Sequence, residues 1–434
     1  MVEMRSIWTE DVRLPRFKKL TGSKKTDVLI VGGGIAGLLC AYFLEKAGVE
    51  YILAERDRIC SGITKNTTAK ITSQHGLIYH KLLKSVGTEK AKMYLDANQD
   101  AVRKFARLLR RMDCDHEVKP SYVYSRKDKK KLEKEAEALS KIGFQPLLSD
   151  AGELPIGTVG AIGFAGQAQF HPLKFLCRIA EGLNIYEDTF VREFTENTAH
   201  TEEGSIAFDR LIFATHFPID NKHGMYALKM YQHRSYVIAL EGAPGLSGMY
   251  VDEAVDGLSF RNYKNYLLLG GGAHKTGKIG GNWEELRNCA RLYYPNLDEK
   301  YYWAAQDCMT LDGIPYIGQY SRSMPNSYVA SGFNKWGMTS SMAAASILTD
   351  LILGKENPYA PVFSPSRNMI KPQLFVNGCS AIVNLFTISE KRCPHLGCAL
   401  QWNRSEHSWD CPCHGSRFDG FGKLLDNPAN GDLQ

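Results

Sequence analysis

The stretch that most constrains this chain is Asp27-Val-Leu-Ile-Val-Gly-Gly-Gly-Ile-Ala-Gly37. A short apolar run leads into a G-x-G-x-x-G turn at Gly32, Gly34 and Gly37, and a helical pattern follows from Leu38 to Ala47 before Gly48 breaks it. A second strand, Tyr51 to Ala54, ends on Glu55. Gly32 makes the tight turn, Gly34 lets the backbone approach a pyrophosphate, and Gly37 lets helix and strand pack closely. The helix start, with Ile35 and Ala36, aims free N–H groups and partial positive charge at phosphates. Glu55, followed by Arg56, is placed to accept hydrogen bonds from a ribose. Strand, helix, strand and acid in this order imply a dinucleotide-binding βαβ unit. A glycine-rich turn in some other doubly wound sheet is the competing reading.

With 434 residues the chain has room for two or three domains with proper cores. A net charge of +6 gives no case for nucleic acid, and the basic run from Arg126 to Lys134 alternates into Glu133, Glu135 and Glu137 as a solvated helix face does. The first twenty residues lack an apolar signal core, and Gly337 to Gly354 is too polar to span a bilayer, so a cytoplasmic location without a membrane span is expected. Of eleven cysteines, seven are scattered singly, as buried small apolar residues are. The other four crowd between positions 393 and 413.

Periodicity predicts helices at Thr88–Met112, Lys129–Ile142, from Pro172 to Gly182, at Trp283–Tyr294 and at Met338–Leu353. Strands are predicted at 189–194, 206–208, 211–215, 235–240, 249–251, 266–270 and 328–330, and Pro358, Pro361, Pro365 and Pro372 punctuate a linker. A nucleotide unit at the start, a mixed middle and a return to glycine-rich text near residue 330 suggest one nucleotide domain built from distant pieces. The middle is then an inserted substrate-binding cap.

Two late motifs, Thr310-Leu-Asp-Gly-Ile-Pro-Tyr-Ile-Gly318 and Gly332-Phe-Asn-Lys-Trp-Gly-Met-Thr339, join the N-terminal fingerprint and Glu55. Together they resemble the D-amino-acid oxidase, glycine oxidase and sarcosine oxidase superfamily of FAD enzymes. The resemblance implies that Gly332, Gly337, Met338 and Thr339 approach the flavin pyrimidine ring, and that Val191, Ala214 and Thr215 flank the adenosine half. The hydroxyl-rich loop with Gly62, Thr64, Thr67 and Thr68 would lie along the pyrophosphate and isoalloxazine. Amino-acid-oxidising members carry a carboxylate-clamping arginine where this chain has Asp307, which points instead to a cationic amine. The cysteine that attaches flavin covalently is replaced by Ala305, and Leu269-Gly-Gly-Gly272 lacks the lysine that helps activate dioxygen, so a non-covalent FAD and dehydrogenase chemistry are expected. His75, His216, Arg261, His274, Asp307 and Trp336 are the candidate catalytic or site-lining residues.

The C-terminal text reads Cys393-Pro-His395-Leu-Gly-Cys398 and then Cys411-Pro-Cys413-His414-Gly-Ser416. It resembles the Rieske iron–sulfur signature. That resemblance implies a 2Fe–2S cluster held by Cys393 and Cys411 on one iron and His395 and His414 on the other. It also implies a disulfide between Cys398 and Cys413, and a Ser416 hydroxyl on a bridging sulfide. A tetrahedral zinc site is the competing reading of the same ligands, disfavoured by the two extra cysteines and the Gly-Ser after His414. Phe418 stands where high-potential members place a tyrosine, so a lower potential is expected. Few residues separate Pro372 from Cys393, implying a shortened domain docked in a fixed position.

The expected architecture is therefore α/β (α+β): a Rossmann-like FAD-binding domain with a mixed-sheet substrate domain, plus a small, shortened C-terminal Rieske-type β domain. FAD-binding parts are expected at about 27–85, 158–218 and 308–360, cap parts at 86–157 and 219–307. The oxidoreductase occupies 1–368, a linker 369–379 and the cluster domain 380–434. The two resemblances together match bacterial FAD-dependent oxidoreductase–Rieske fusions. They imply a dehydrogenase that oxidises a small amine at the flavin and passes electrons singly through the cluster to an external acceptor. A reductase fed through the cluster by a redox partner, or a redox sensor with no substrate, are the alternatives.

Overall fold

The computed structural model describes residues 4–220, 223–367, 389 and 391–433. The fingerprint opens one of two eight-stranded sheets. Its parallel centre sets Ile185–Tyr186, Tyr51–Ala54, Gly22–Val31 and Gly204–Phe213 side by side, and Met324–Ser331 pairs with the end of the last of these. Val28 to Val31 are almost wholly buried, as expected of a strand covered on both faces. The helices Ile35–Lys46 and Gly337–Ile352 cover one face and pack on each other. Gly37 makes that possible, because a Cβ there would sit 1.9 Å from the carbonyl oxygen of Gly32.

The second sheet runs in the order Asp298–Thr310, Met230–Glu241, Tyr266–Lys275, Ser259–Tyr263, Met249–Asp252, Ser121–Ser125, Gly160–Phe164, Leu147–Ser149. The helix Asn282–Tyr293 packs on it through Trp283, whose indole N–H donates to the carbonyl of Trp303 at 3.0 Å. The C-terminal body is a four-stranded antiparallel meander, Gln401–Asn403, Ser408–Asp410, Arg417–Asp419 and Leu424–Asp426. Cys379, the expected linker and the expected start of the C-terminal domain lie outside the described residues.

Several elements differ from expectation for local reasons. The helix predicted at Thr88–Met112 begins earlier and runs Tyr79–Leu109, turning at Gly87, whose φ is 83°. It starts at Tyr79 because the Glu135 carboxylate accepts the N–H groups of Tyr79 and His80, both at 2.8 Å. The strand predicted at 189–194 shrinks to Glu193–Thr195, since Thr189 Oγ1 is engaged by Leu20 N–H and Glu187 O. The two strands predicted at 206–208 and 211–215 are one, Gly204–Phe213. The long strand Asp298–Thr310 has no apolar alternation to reveal it.

Candidate functional site

A cavity of about 1180 Å³ lies between the nucleotide sheet and the inner face of the second sheet. That exceeds the roughly 1,000 Å³ upper end of ordinary small-molecule pockets and leaves room for a dinucleotide and a substrate together. Gly32, Gly34, Ile35, Ala36, Glu55, Arg56, Gly62, Thr64, Thr67, Thr68, Val191, Ala214, Thr215, Gly337 and Met338 all line it. Gly32, at φ 111°, is where a side chain is impossible: a Cβ would lie 2.5 Å from the Ala214 carbonyl oxygen. Gly33 N–H donates to Glu55 Oε2 at 2.5 Å and Asp57 N–H to Oε1 at 2.9 Å, while burial pushes this carboxyl's pKa up. Thr64 Oγ1 accepts the first helical N–H, that of Ile35, at 3.1 Å.

Three residues expected at the nucleotide act from behind it. Gly37 and Gly332 provide close packing, the latter at φ 70° with its Cβ position 2.4 Å from Thr310 Cγ2. Thr339 is buried and donates to the Thr72 carbonyl at 2.9 Å.

The catalytic candidates divide. His75 lines the cavity with both ring nitrogens engaged, Nδ1 with Tyr94 Oη at 2.6 Å and Nε2 with Thr72 O and Thr339 Oγ1 at 2.9 Å. Burial pushes its pKa down to about 3, and it stacks on Trp336 at 5.2 Å. It is a neutral wall and no free base. Trp336, His216 and Asp307 also line the cavity. Asp307 has no hydrogen bond or ion pair among the described residues. Burial raises its pKa against the more distant charges of Lys335, His216 and Arg234. Two candidates are corrected. Arg261 does not reach the cavity; its guanidinium is buried and spent on backbone carbonyls of Thr68, Ala69 and Phe170. His274 is turned away as well, its Nε2 on Tyr236 Oη at 2.9 Å and its ring stacked on that tyrosine. Lys70 and Lys335 line the cavity and were missed by sequence reading, although both stand inside stretches singled out there.

At the C-terminal end two loops of matching design face each other. Cys393 N–H donates to Cys398 O at 2.9 Å and Gly397 N–H to Cys393 O at 2.8 Å; Cys411 N–H donates to Ser416 O at 2.8 Å and Gly415 N–H to Cys411 O at 3.0 Å. Both loops turn through glycines of positive φ, 74° at Gly397 and 87° at Gly415. This brings the thiols of Cys393 and Cys411 into hydrogen bond with one another. The His395 and His414 rings meet edge to face at 4.9 Å. Both nitrogens of His395 and Nδ1 of His414 are buried without a partner, and burial pushes these imidazoles down to about 3 and about 4. Neutral imidazoles with orphaned nitrogens beside paired thiols are the donor set that a two-thiolate, two-imidazole cluster requires. The expected Cys398–Cys413 disulfide is not formed. Both are free thiols, and with Cys411 their sulfurs lie within 4.8 Å of one another and share hydrogen bonds in place of a covalent link.

The cluster loops rest on the back of the cavity wall. Gln306 Nε2 donates to the Gly415 carbonyl at 2.9 Å, and Asn427 Nδ2 donates to Thr215 O and Phe217 O, both at 2.7 Å. The Phe217 ring stands edge-on to His395 at 6.4 Å. Beside them Glu406 accepts from Arg234 Nε at 3.0 Å, Tyr236 Oη at 2.9 Å and Arg417 Nη2 at 2.8 Å.

Comparison with known proteins agrees with both ends of the chain. Residues 27–351 match the family described as FAD dependent oxidoreductase, and residues 381–434 the Rieske 2Fe–2S domain. The chain is 34% identical to the putative Rieske 2Fe–2S iron–sulfur protein YhfW of Bacillus subtilis, over 97% of this chain and 95% of that protein. In fold it is similar to glycine oxidase from Geobacillus kaustophilus, with a TM-score of 0.67 and 19% identity over 80% of this chain and 100% of that one. L-proline dehydrogenase from P. horikoshii gives a TM-score of 0.66 at 18% identity, over 80% and 98% of the respective chains. The cavity with its glycine turn, the facing cysteine–histidine loops and these matches together mean that the chain belongs to the FAD-dependent oxidoreductase family and carries a C-terminal Rieske 2Fe–2S domain.

Proposed function

We propose that the chain is a dehydrogenase that oxidises a small amine at a C–N bond and sends the electrons singly through the cluster to an external acceptor. The observation that carries this reading is the strand Asp298–Thr310, where Asp307 turns an unpaired carboxylate into the cavity while its neighbour Gln306 holds the cluster loop. When bound, FAD supplies two-electron oxidation and the cluster one-electron transfer. The protein supplies the rest. Asp307 is half-buried and unpaired among the described residues, and a cationic amine entering beside it offsets the cost of its desolvation. Asp307 can then hold the proton that an ammonium gives up, leaving the amine neutral, which is chemistry suited to a carboxyl whose pKa burial has raised. Trp336 and His75, stacked on each other, close the cavity against water on one side. A cavity of this size lined by Asp307, Trp303 and Trp336 supports a substrate over a sensor with none. The same reading divides the chain into an oxidoreductase at 1–368, a linker at 369–379 and the cluster domain at 380–434.

The test is EPR of anaerobically purified, chemically reduced protein with its flavin quantified, followed by an anaerobic screen of amines for flavin bleaching. A Rieske-type signal with stoichiometric FAD and bleaching by amines is the expected result. Zinc in place of the signal would overturn the electron exit, and bleaching only by non-amines would overturn the substrate class.

A further inference from the structure

The bend that follows the strand Gly204–Phe213 is held from both bodies of the chain. It carries Ala214 and Thr215 against the glycine turn: a Cβ at Gly32 would lie 2.5 Å from Ala214 O and 3.1 Å from Thr215 N. Next to them His216 has a left-handed backbone, φ 66°. A residue with a side chain adopts that conformation at a cost and keeps it only where its surroundings hold it. Much of the hold comes from the C-terminal domain. Asn427 Nδ2 donates to Thr215 O and Phe217 O, the carbonyls on either side of His216, both at 2.7 Å. Gln232 closes the ring, its Oε1 lying 3.1 Å from His216 Nε2 and its Nε2 donating to Asn427 O at 3.0 Å. Within the nucleotide body Thr215 Oγ1 donates to Phe217 O at 2.8 Å, and Ser331 Oγ donates to His216 O. Two residues beyond Asn427 the chain reaches the second cluster loop, where Ala429 N–H donates to Ser416 Oγ at 3.0 Å. Asn427 and Ala429 line the cavity together with Val191 and Thr215. Residues 427–429 are thus a strut between the cluster loop and the nucleotide turn.

We propose that Asn427 is a positioning residue for FAD: by holding the His216 bend, it lets the C-terminal domain set the affinity of a nucleotide site that lies in the other body. The inference is independent of the substrate class proposed above and rests only on the cavity holding FAD. Without the Asn427 amide the left-handed residue can relax toward an extended backbone. The Ala214–Thr215 peptide then moves with it, and that peptide packs on Gly32 with no room for a methyl group. Coupling between two binding events is reciprocal, so FAD in turn tightens the seat of the cluster domain. The chain therefore binds its flavin fully only when the cluster body is in place.

The test is the FAD affinity of the full chain, read by flavin fluorescence as reversibly deflavinated protein is titrated, with cluster EPR on the same samples. Asn427→Ala removes both donated hydrogen bonds and should weaken FAD binding by roughly tenfold or more. Asn427→Asp keeps the size of the side chain, removes the donors and should weaken it at least as much. Asn430→Ala loses only a neighbouring contact between the bodies, the bond to Ile219 O at 3.2 Å, and should stay within about threefold of wild type. The Rieske-type signal should keep its intensity in all three. The rise in melting temperature on adding saturating FAD is a second readout, and it should be smaller in both Asn427 variants. Unchanged FAD affinity in both Asn427 variants would overturn the proposal. An equal loss in Asn430→Ala would overturn it as well, by assigning the effect to contact between the bodies in general. So would loss of the EPR signal in step with the flavin, which would mark Asn427 as a support of the cluster fold.

Discussion

A carboxylate half-buried in a cavity wall without a partner costs stability, and Asp307 is such a group among the described residues. Its pKa is raised by burial. The folded state therefore favours the protonated form, and stability falls as pH rises from about 3.9, the unfolded value, through the raised folded one. Asp307→Asn removes that cost while keeping the shape. The variant should unfold at a higher temperature at pH 8, by the equivalent of about 1 kcal/mol, yet need roughly tenfold more amine to bleach its flavin. Thermal melts and anaerobic titrations measure the two effects, and a variant that neither gained stability nor lost amine affinity would leave Asp307 without its role. At this scale the sequence was legible wherever chemistry is contiguous: Cys393 with His395, Cys411 with His414, the three fingerprint glycines. It misled where a side chain's direction decides. Arg261 and His274 have the residue types of a site yet point away from the cavity, while Asn427 meets Thr215 across 212 positions of sequence.

Among the elements, the helix Tyr79–Leu109 carries a pH-sensitive start. Glu135 accepts two of its first N–H groups, and burial raises that carboxyl to about 7 against the lowering effect of those N–H bonds. The sign follows from linkage: with an unfolded value near 4.3, the stability this group contributes is full at acid pH and is lost as pH rises through about 7. Glu135→Gln retains one acceptor oxygen and removes the titration. Its melting temperature should change less than the wild type's between pH 5 and 8, roughly by the one to two kcal/mol that a buried carboxylate contributes, as followed by circular dichroism. The boundary errors have the same origin. Glu135 acts from another helix, so the first turn at Tyr79 could not be read from its own residues. The strand Asp298–Thr310 is held by pairing with Met230–Glu241 over its full length, and no alternation within it announces that partner.

For the whole molecule, the decisive contact is the ion cluster that seats the cluster domain. Arg234 and Glu406 are each 4% exposed, and Arg417 shares the same carboxylate. Against the burial that would raise it, Arg234 and Arg417 hold Glu406 down to about 2. The contribution is present above the unfolded value and lost only as pH falls through about 2, so docking should survive mild acid. Glu406→Gln takes from buried Arg234 its close anion, while Arg417 keeps Asp410 at 2.9 Å and Asp426 at 3.0 Å, a loss of roughly 3 kcal/mol by comparison with other broken buried pairs. Flavin bleaching by substrate should persist in that variant while reduction of the cluster slows by roughly tenfold or more in stopped-flow records. Equal slowing of both steps would show that the contact supports the fold in general and not the docking. None of this seat was visible beforehand, because Arg234 and Glu406 are 172 residues apart and belong to bodies that the sequence marks separately.

Gln306 and Asp307 are neighbours on one strand, and neighbours on a strand face opposite ways. At this point a single strand stands between the cavity and the cluster loop, while Glu406, Arg417 and Asn427 of the C-terminal domain line the cavity themselves. One residue inserted between Trp303 and Gln306 would turn the acid toward the cluster and the amide toward the cavity, disabling both sites in a single event. Neither half of this chain can be redesigned alone along that strand. A library that varies positions 303–309 should return survivors in which changes on the two faces arise as matched pairs.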